Sequence, residues 1–546
     1  MSDSNFYGKM QDVKENVSYT ENGMEGYKHT DHALVDFNFK VASYRTSKGQ
    51  AVTDFKKVLN EKEKYTLKYL MYLRDAREGI GERDLFRTTM LELLKSNVDN
   101  KDEIVSTLIA QTPEYGRWDD LWVLLDTEYK SEVINAVKIQ LASDMKKLVE
   151  SKGEHTESIS LLGKWMPSEN ASSQNTKRLA HLFIKELGAT PRSYRKMLSA
   201  LRGRLNIVET LACANEWAKI DYNTVPSKAN LKYKNAFLAH DEERRRTFLS
   251  KAISGDKEVK VHMSVGFPHE IVHDYGRGYR IEYDQSLEAY WKNLKPCVGL
   301  KDTIVVRDGS GSMTSTVGGT NVSAMDISTA LAIYCSQFLS GSFKDKFITF
   351  SSQAHLVDLS GCGSLKSKLE RTYKEGDCSN TNIQNVFELI LKTAWESGMK
   401  PEEMPSTVLV ISDMEFDPST DSRSWYSCGM NAGSNVFKVM DQKFRAAGYK
   451  LPKLAFWNVN SRTTTIPCKF NENGVLLISG FSQNVLSMVM NGKTDPYDAL
   501  IEELDAERYA LIPLVTFNGT SSTSTSTKTR STRKSTKKVE MPEFLM

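Results

Sequence analysis

The sequence predicts a multidomain chain in which an all-helical module is followed by a doubly wound α/β domain. Three observations lead there. The chain has 546 residues, too many for one hydrophobic core. From about Thr53 to Leu249 apolar residues recur at spacings of three and four, the period of amphipathic helices. After about Leu300 the pattern changes to short β-branched runs separated by helical segments, the mark of a mostly parallel sheet covered on both faces.

In the helical module, Phe55, Val58, Leu59, Tyr65, Leu67, Leu70, Met71 and Leu73 have helical spacing. Further helices are expected around Leu85 to Leu94, Trp118 to Leu148, Thr176 to Leu187 and Pro191 to Leu201, each bounded by Gly, Pro, Asn, Ser or Asp. No repeat of fixed period is evident. In the α/β domain, strands are expected from Thr303 to Val306, Phe347 to Phe350, Thr407 to Ile411 and Leu454 to Val459, with helices near Ala324 to Leu339, Ile383 to Trp395 and Asn435 to Ala447. Residues 518–546 are Ser/Thr-rich and carry Lys528, Arg530, Arg533, Lys534, Lys537 and Lys538, a composition that cannot form a core. The expected organisation is an N-terminal extension over 1–18, the helical domain over 19–299, the α/β domain over 300–517 and a basic disordered tail over 518–546.

Bulk properties exclude several classes. About a quarter of the residues are charged, and no apolar run approaches the roughly 20 residues that a membrane helix needs. The start, Met1-Ser2-Asp3-Ser4-Asn5, resembles no secretory signal, so a cytoplasmic protein without membrane attachment is expected. Seven dispersed cysteines without a C-x-x-C pair argue against a disulfide framework or a cysteine zinc site. A net charge of +3 is too small to diagnose a nucleic-acid partner, so charge distribution must carry that argument.

Ligands of doubly wound sheets bind beyond the carboxyl ends of the strands. There the first strand runs into Asp308-Gly309-Ser310-Gly311-Ser312, a later one into Ser412-Asp413, and Ser379-Asn380-Thr381-Asn382 precedes a helix. Two carboxylates and three hydroxyls are hard oxygen donors suited to Mg²⁺, with Mn²⁺ as the second choice. The glycines are expected to allow a tight turn that projects Ser310 and Ser312 toward the ion. A phosphate-binding or simple turn is the plain alternative, but no G-x-x-x-x-G-K-[ST] is present. Asp308, Ser310, Ser312, Thr381 and Asp413 resemble, in order and spacing, the metal-ion-dependent adhesion site of von Willebrand factor A (vWA) domains. The resemblance implies an open metal position that accepts an acidic group from a protein partner. Two positions depart from the family pattern: Ser379-Asn380 stand before the threonine and Met414 follows the last aspartate, where glycines are common.

His269-Glu270-Ile271-Val272-His273 spells H-E-x-x-H, a zinc-protease string when it lies within a long helix. Here Asp274-Tyr275-Gly276-Arg277-Gly278 breaks the pattern within about two turns, and no third ligand follows at a recognisable spacing. We read it as a chance match, with His269 and Glu270 as first-turn packing residues, and expect no enzymatic activity.

Between Leu161 and Leu249 basic residues outnumber acidic ones about two to one. They include Arg192, Arg195, Lys196, Arg202, Arg204, Lys228, Lys232 and Lys234, interleaved with Tyr194, Trp217, Tyr222 and Tyr233. Such cations neutralise phosphates and such rings stack on unpaired bases, although solvated helix faces explain the composition equally well. Tyr19-Thr20-Glu21-Asn22-Gly23, Arg77-Glu78-Gly79-Ile80-Gly81-Glu82-Arg83 and Pro113-Glu114-Tyr115-Gly116-Arg117-Trp118-Asp119-Asp120-Leu121 resemble the helical module of Ro/TROVE ribonucleoproteins and of the related DUF2828 group. Leu162-Gly163-Lys164-Trp165-Met166-Pro167-Ser168-Glu169-Asn170, Arg204 to Glu209 and Val225-Pro226-Ser227-Lys228 are similar to DUF2828 in particular. The resemblance implies a HEAT-like, ring-shaped helical module that binds structured or misfolded noncoding RNA, followed by a vWA domain. The expected function is noncatalytic RNA binding with a divalent cation in the vWA domain; the alternative is a metal-dependent protein-interaction adaptor without RNA.

Overall fold

The computed structural model describes residues 14–517 except 151–157, 264–265, 277–280, 297–299, 301, 319, 377, 419–435, 469–473 and 491–492. The basic tail over 518–546 and most of the N-terminal extension therefore lie outside the described residues.

The expected change of architecture is present. A helical half is followed by a six-stranded sheet with helices, the arrangement of a vWA-like domain. The sheet is built from β3 (Thr303–Asp308), β4 (Lys346–Phe350), β5 (Ala354–Asp358), β6 (Thr407–Ser412), β7 (Lys453–Asn458) and β8 (Val475–Ser479), in spatial order β5-β4-β3-β6-β7-β8. All neighbours are parallel except β4 and β5, which form an antiparallel edge. β6, β7 and β8 are buried along their whole length, so they consist of continuous apolar runs rather than alternating ones. The strand order reverses between β3 and β6, and that switch point leaves a crevice at the carboxyl ends of Asp308 and Ser412.

The helices follow the apolar period with local exceptions. The run from Phe55 to Leu73 divides into Lys48–Asn60 and Thr66–Arg74. The stretch expected as one helix from Trp118 to Leu148 begins as a 3₁₀ turn, Trp118–Asp126, before the α-helix Lys130–Glu150. Tertiary contacts account for the 3₁₀ start. The buried Asp120 carboxylate accepts from the Arg117 N–H at 3.0 Å, Arg74 Nε at 2.7 Å and Arg87 Nε at 2.9 Å, which holds that turn against two earlier helices.

The two ends of the chain cross between the halves. A hairpin, β1 (Val17–Tyr19) and β2 (Glu25–Tyr27), bridges from Tyr27 to Ile466 of the α/β half, and the Thr20 hydroxyl donates to the Phe416 carbonyl at 2.7 Å. The helix Ala33–Phe39 packs on β8. In the other direction the segment after the helix Pro496–Leu504 returns to the helical half: Arg508 pairs with the buried Asp75, the Val515 N–H donates to Lys64 at 2.8 Å, and the Asp99 N–H donates to Thr516 at 2.9 Å. One apolar cluster consequently runs from Leu34 and Phe55 through the helices to Trp457 and Ile478 in the sheet. Among the described residues no helix is long and apolar enough to cross a membrane.

Candidate functional site

At the switch point the structure brings Asp308, Ser310, Ser312 and Asp413 together. Asp308 ends β3 and is fully buried. Its Oδ1 accepts from the Ser310 N–H at 2.9 Å, its Oδ2 accepts from the Ser412 hydroxyl at 2.5 Å, and the Ser310 and Ser312 hydroxyls lie 3.0 Å apart. Asp413, also fully buried, receives Arg462 Nη1 at 3.2 Å on Oδ2. Burial, followed by the proximity of Asp308, pushes the Asp413 carboxyl up to about 7, against the pull of Arg462 and a hydrogen bond from Ser312. Burial raises Asp308 as well. Thr381 is buried on the neighbouring loop, which is joined to the first by the Gly311 N–H donating to the Ser379 carbonyl at 3.0 Å.

The expected role of the glycines in turning the chain needs correction. Neither Gly309 nor Gly311 has a positive φ; what favours glycine at both is close approach of neighbouring atoms. A Cβ on Gly311 would stand 3.1 Å from the Cys378 carbonyl oxygen, and one on Gly309 would stand 3.2 Å from Thr349 Oγ1 and 3.3 Å from Arg307 Nη1. The left-handed conformation falls instead on Met414, at φ 63°, where the adhesion-site pattern often carries glycine. Met414 adopts it with its side chain completely buried.

This donor set suits a hard divalent cation: two buried carboxylates with raised pKa flanked by serine hydroxyls, a combination that a positive charge relieves. Asp308, Asp413, Ser310 and Ser312, with Thr381 on the adjoining loop, are the residues that would hold it. Among the described residues no group of three or more His, Cys, Asp or Glu side chains converges, so an ion here would depend on hydroxyls as much as on carboxylates.

The residues of the basic segment are more dispersed. Arg192 and Lys196 are exposed on the helix Pro191–Arg204. Arg195 pairs with Glu169, Lys228 with Glu270, and Lys234 with Asp284 at 2.9 Å. Arg202 is half-buried and donates to the Gly163 and Met166 carbonyls and the Ser168 hydroxyl at 2.8–3.0 Å, which fixes the turn around the Gly-Lys-Trp-Met motif. Arg204 is half-buried at the end of that helix, and Lys232 lies over the Tyr233 ring at 4.9 Å.

Only Lys228 and Lys232 of that set line a cavity of about 830 Å³, which the sequence did not disclose. Its other basic walls are Arg45, Lys48, Arg74, Arg77, Arg83, Arg117 and Lys164, nine cations in all, of which six are ion-paired: Arg45 with Glu82, Arg74 with Asp120, Arg77 with Glu114, Arg83 with Asp84, Arg117 with Asp119 and Lys228 with Glu270. Trp165 is half-buried in the wall with the Arg117 guanidinium 4.0 Å above its ring, and it also faces an adjoining cavity of about 1200 Å³. Gly318 and Thr320, from the loop after Ser312, reach the first cavity from the α/β half. The sequence signal was partial: Arg77, Arg83, Arg117 and Trp165 lie in the motifs noted above, but nothing in their spacing shows convergence. Ser412, which donates to Asp308, stood in the expected strand-end pair Ser412-Asp413 without an assigned role, and Arg462, which reaches Asp413, carried no motif at all.

The H-E-x-x-H string lies on the helix Pro268–Tyr275, where its histidines have separate surroundings. His269 is buried between the rings of Phe267 and Phe481, and burial holds its imidazole down to about 3. His273 Nδ1 lies 3.1 Å from Asp326, and Glu270 pairs with Lys228.

Comparison with known proteins gives family relationships. Residues 129–295 match the domain of unknown function DUF2828, and residues 302–538 match the domain of unknown function DUF7788. The chain is similar to uncharacterized protein L728 of Acanthamoeba polyphaga mimivirus, at 30% identity over 542 residues, covering 91% of this chain and 89% of that protein. A crystal structure of the Deinococcus radiodurans RO (RSR) protein matches with a TM-score of 0.39 and 13% identity over 85% of this chain and 94% of that one, a likeness too distant to bear on function. On the strength of the helical match and the near full-length viral relative, the chain belongs to the DUF2828 family.

Proposed function

We propose that the chain is a noncatalytic RNA-binding protein that takes an unpaired segment of a structured noncoding RNA into the basic cavity of its helical half and holds Mg²⁺ in its α/β half. The observation that carries this reading is the cavity wall, where nine cations, three of them (Lys48, Lys164 and Lys232) without an ion pair among the described residues, surround the half-buried Trp165. Phosphates are drawn to such an excess of positive charge, and an indole carrying a guanidinium on one face can offer a stacking surface to a base. The α/β half contributes a cation site suited to an acidic group of a protein ligand. RNA held by phosphate contacts should bind with a steep dependence on salt. The test is binding of an RNA hairpin with a single-stranded 3′ end against a blunt duplex across a salt series, with Mg²⁺ and with EDTA. Preference for the free end, retained in EDTA, is expected. Absence of binding at low salt contradicts the reading.

A metal-dependent adaptor without RNA is the second reading. It is favoured by the protein partners of Arg195, Arg202, Lys228 and Lys234, which leave less of the basic segment to meet phosphates.

A further inference from the structure

Beside the two aspartates stands a third buried carboxylate that faces the protein. Glu415 is completely buried and accepts from the N–H groups of Arg462 at 2.8 Å, Thr463 at 2.9 Å and Glu21 at 2.7 Å, and from the hydroxyls of Ser461 and Thr463. One side chain thereby fixes both the turn that carries Arg462 and the β1–β2 loop that carries Glu21. The Arg462 side chain, 34% exposed, spans the two: Nη1 reaches Asp413 Oδ2 at 3.2 Å, and Nε reaches Glu21 Oε2 at 2.6 Å. Asp413 is inaccessible to solvent, whereas Glu21 is 56% exposed.

We infer that Arg462 is a built-in counter-cation of the metal centre, competing with a divalent ion for Asp413, and that Glu21 moderates the competition by offering its guanidinium a second anchor. The inference rests on the cation reading of Asp308 and Asp413. A doubly charged ion on Asp413 would lie within a few ångströms of the guanidinium, and that repulsion persists even where solvent screens it in part. The guanidinium can yield Asp413 while keeping Glu21, because different nitrogens serve the two carboxylates. Without Glu21 its attraction concentrates on Asp413. Substitutions at the two positions should therefore act in opposite directions, which a purely structural role for the pair does not predict.

The experiment is calorimetric titration of the full chain with MnCl₂ at pH 8 and fixed ionic strength. R462Q should bind Mn²⁺ about tenfold more tightly than the unaltered chain, R462K should stay near it, and E21Q should bind several-fold more weakly. The double variant should match R462Q. Equal or weaker binding by R462Q overturns the inference, and so does E21Q binding at or above the original affinity, which decides alone if R462Q does not fold. D308A separates the two readings. Loss of binding in D308A with no change in R462Q contradicts only the role of Arg462, whereas full binding by D308A removes the metal centre and this inference with it.

Discussion

At the scale of single residues, the proposed metal centre would depend on two carboxylates, Asp308 and Asp413, that the fold places in an unfavourable environment. Asp308→Ala should abolish Mg²⁺ and Mn²⁺ binding measured by calorimetry, and unchanged affinity would remove Asp308 as a ligand. Because the Asp413 carboxyl is raised to about 7, its protonated form favours the folded state, and that contribution fades as pH rises from about 4 through 7. Added Mg²⁺ should therefore raise the melting temperature more at pH 8 than at pH 5.5, where protons compete for the site; an equal gain at both values would contradict the assignment. His269 has the opposite sign. Its folded-state value near 3 lies below the ordinary histidine range, so it stabilises above about pH 6.5, and that stability is lost as pH falls toward 3, at up to about 1.4 kcal/mol per pH unit. His269→Phe, which fills the place between Phe267 and Phe481 without a titratable group, should flatten the acid limb of the stability curve in urea titrations. That Asp308, Ser310, Ser312 and Asp413 come together was legible because these residues follow the ends of two apolar strand runs that neighbour each other in the sheet. Arg462 was not, since its contact with Asp413 spans 49 residues and arises only from the packing of the 461–463 turn.

At the scale of elements, burial decides what the sequence could show. The helices Asp84–Lys95, Gln174–Glu186 and Pro191–Arg204 lie within a few residues of their expected limits, since each has one apolar face and a marked end. β5 and β8 had no expected counterpart. β8, Val475–Ser479, is an apolar run of four residues ending in a serine, whose periodicity does not distinguish a strand from buried helix. β5 is a short edge strand with Leu356 turned outward, so it lacks the continuous apolar run of its neighbours. Arg202 shows how an element can absorb a basic residue. Its three donors hold the turn from Gly163 to Ser168, so Arg202→Ala should lower stability by about 2–3 kcal/mol in denaturant titration. Lys196→Ala, at an exposed position, should change stability by less than about 0.5 kcal/mol.

At the scale of the whole molecule, the boundary near residue 300 marks a change of architecture without separating the packing. The N-terminal hairpin rests on the α/β half, the 505–517 segment rests on the helical half, and a common apolar cluster joins them. Unfolding followed by calorimetry and by tryptophan fluorescence should consequently show a single transition; two well-separated transitions would indicate independent halves. The order of a helical half before an α/β half was legible from the change of apolar period. The crossing ends were not, because pairs such as Arg508–Asp75 join residues more than 400 positions apart and leave no local pattern. The basic cavity of the helical half, which Gly318 and Thr320 of the α/β half also line, is where RNA is proposed to enter, and cross-linking locates it most directly. An RNA hairpin with a photoreactive 3′ tail should, after irradiation and peptide mapping by mass spectrometry, give adducts at Trp165, Lys164, Lys232 and Tyr233. Adducts confined to residues 518–546, or none at all, would contradict the account.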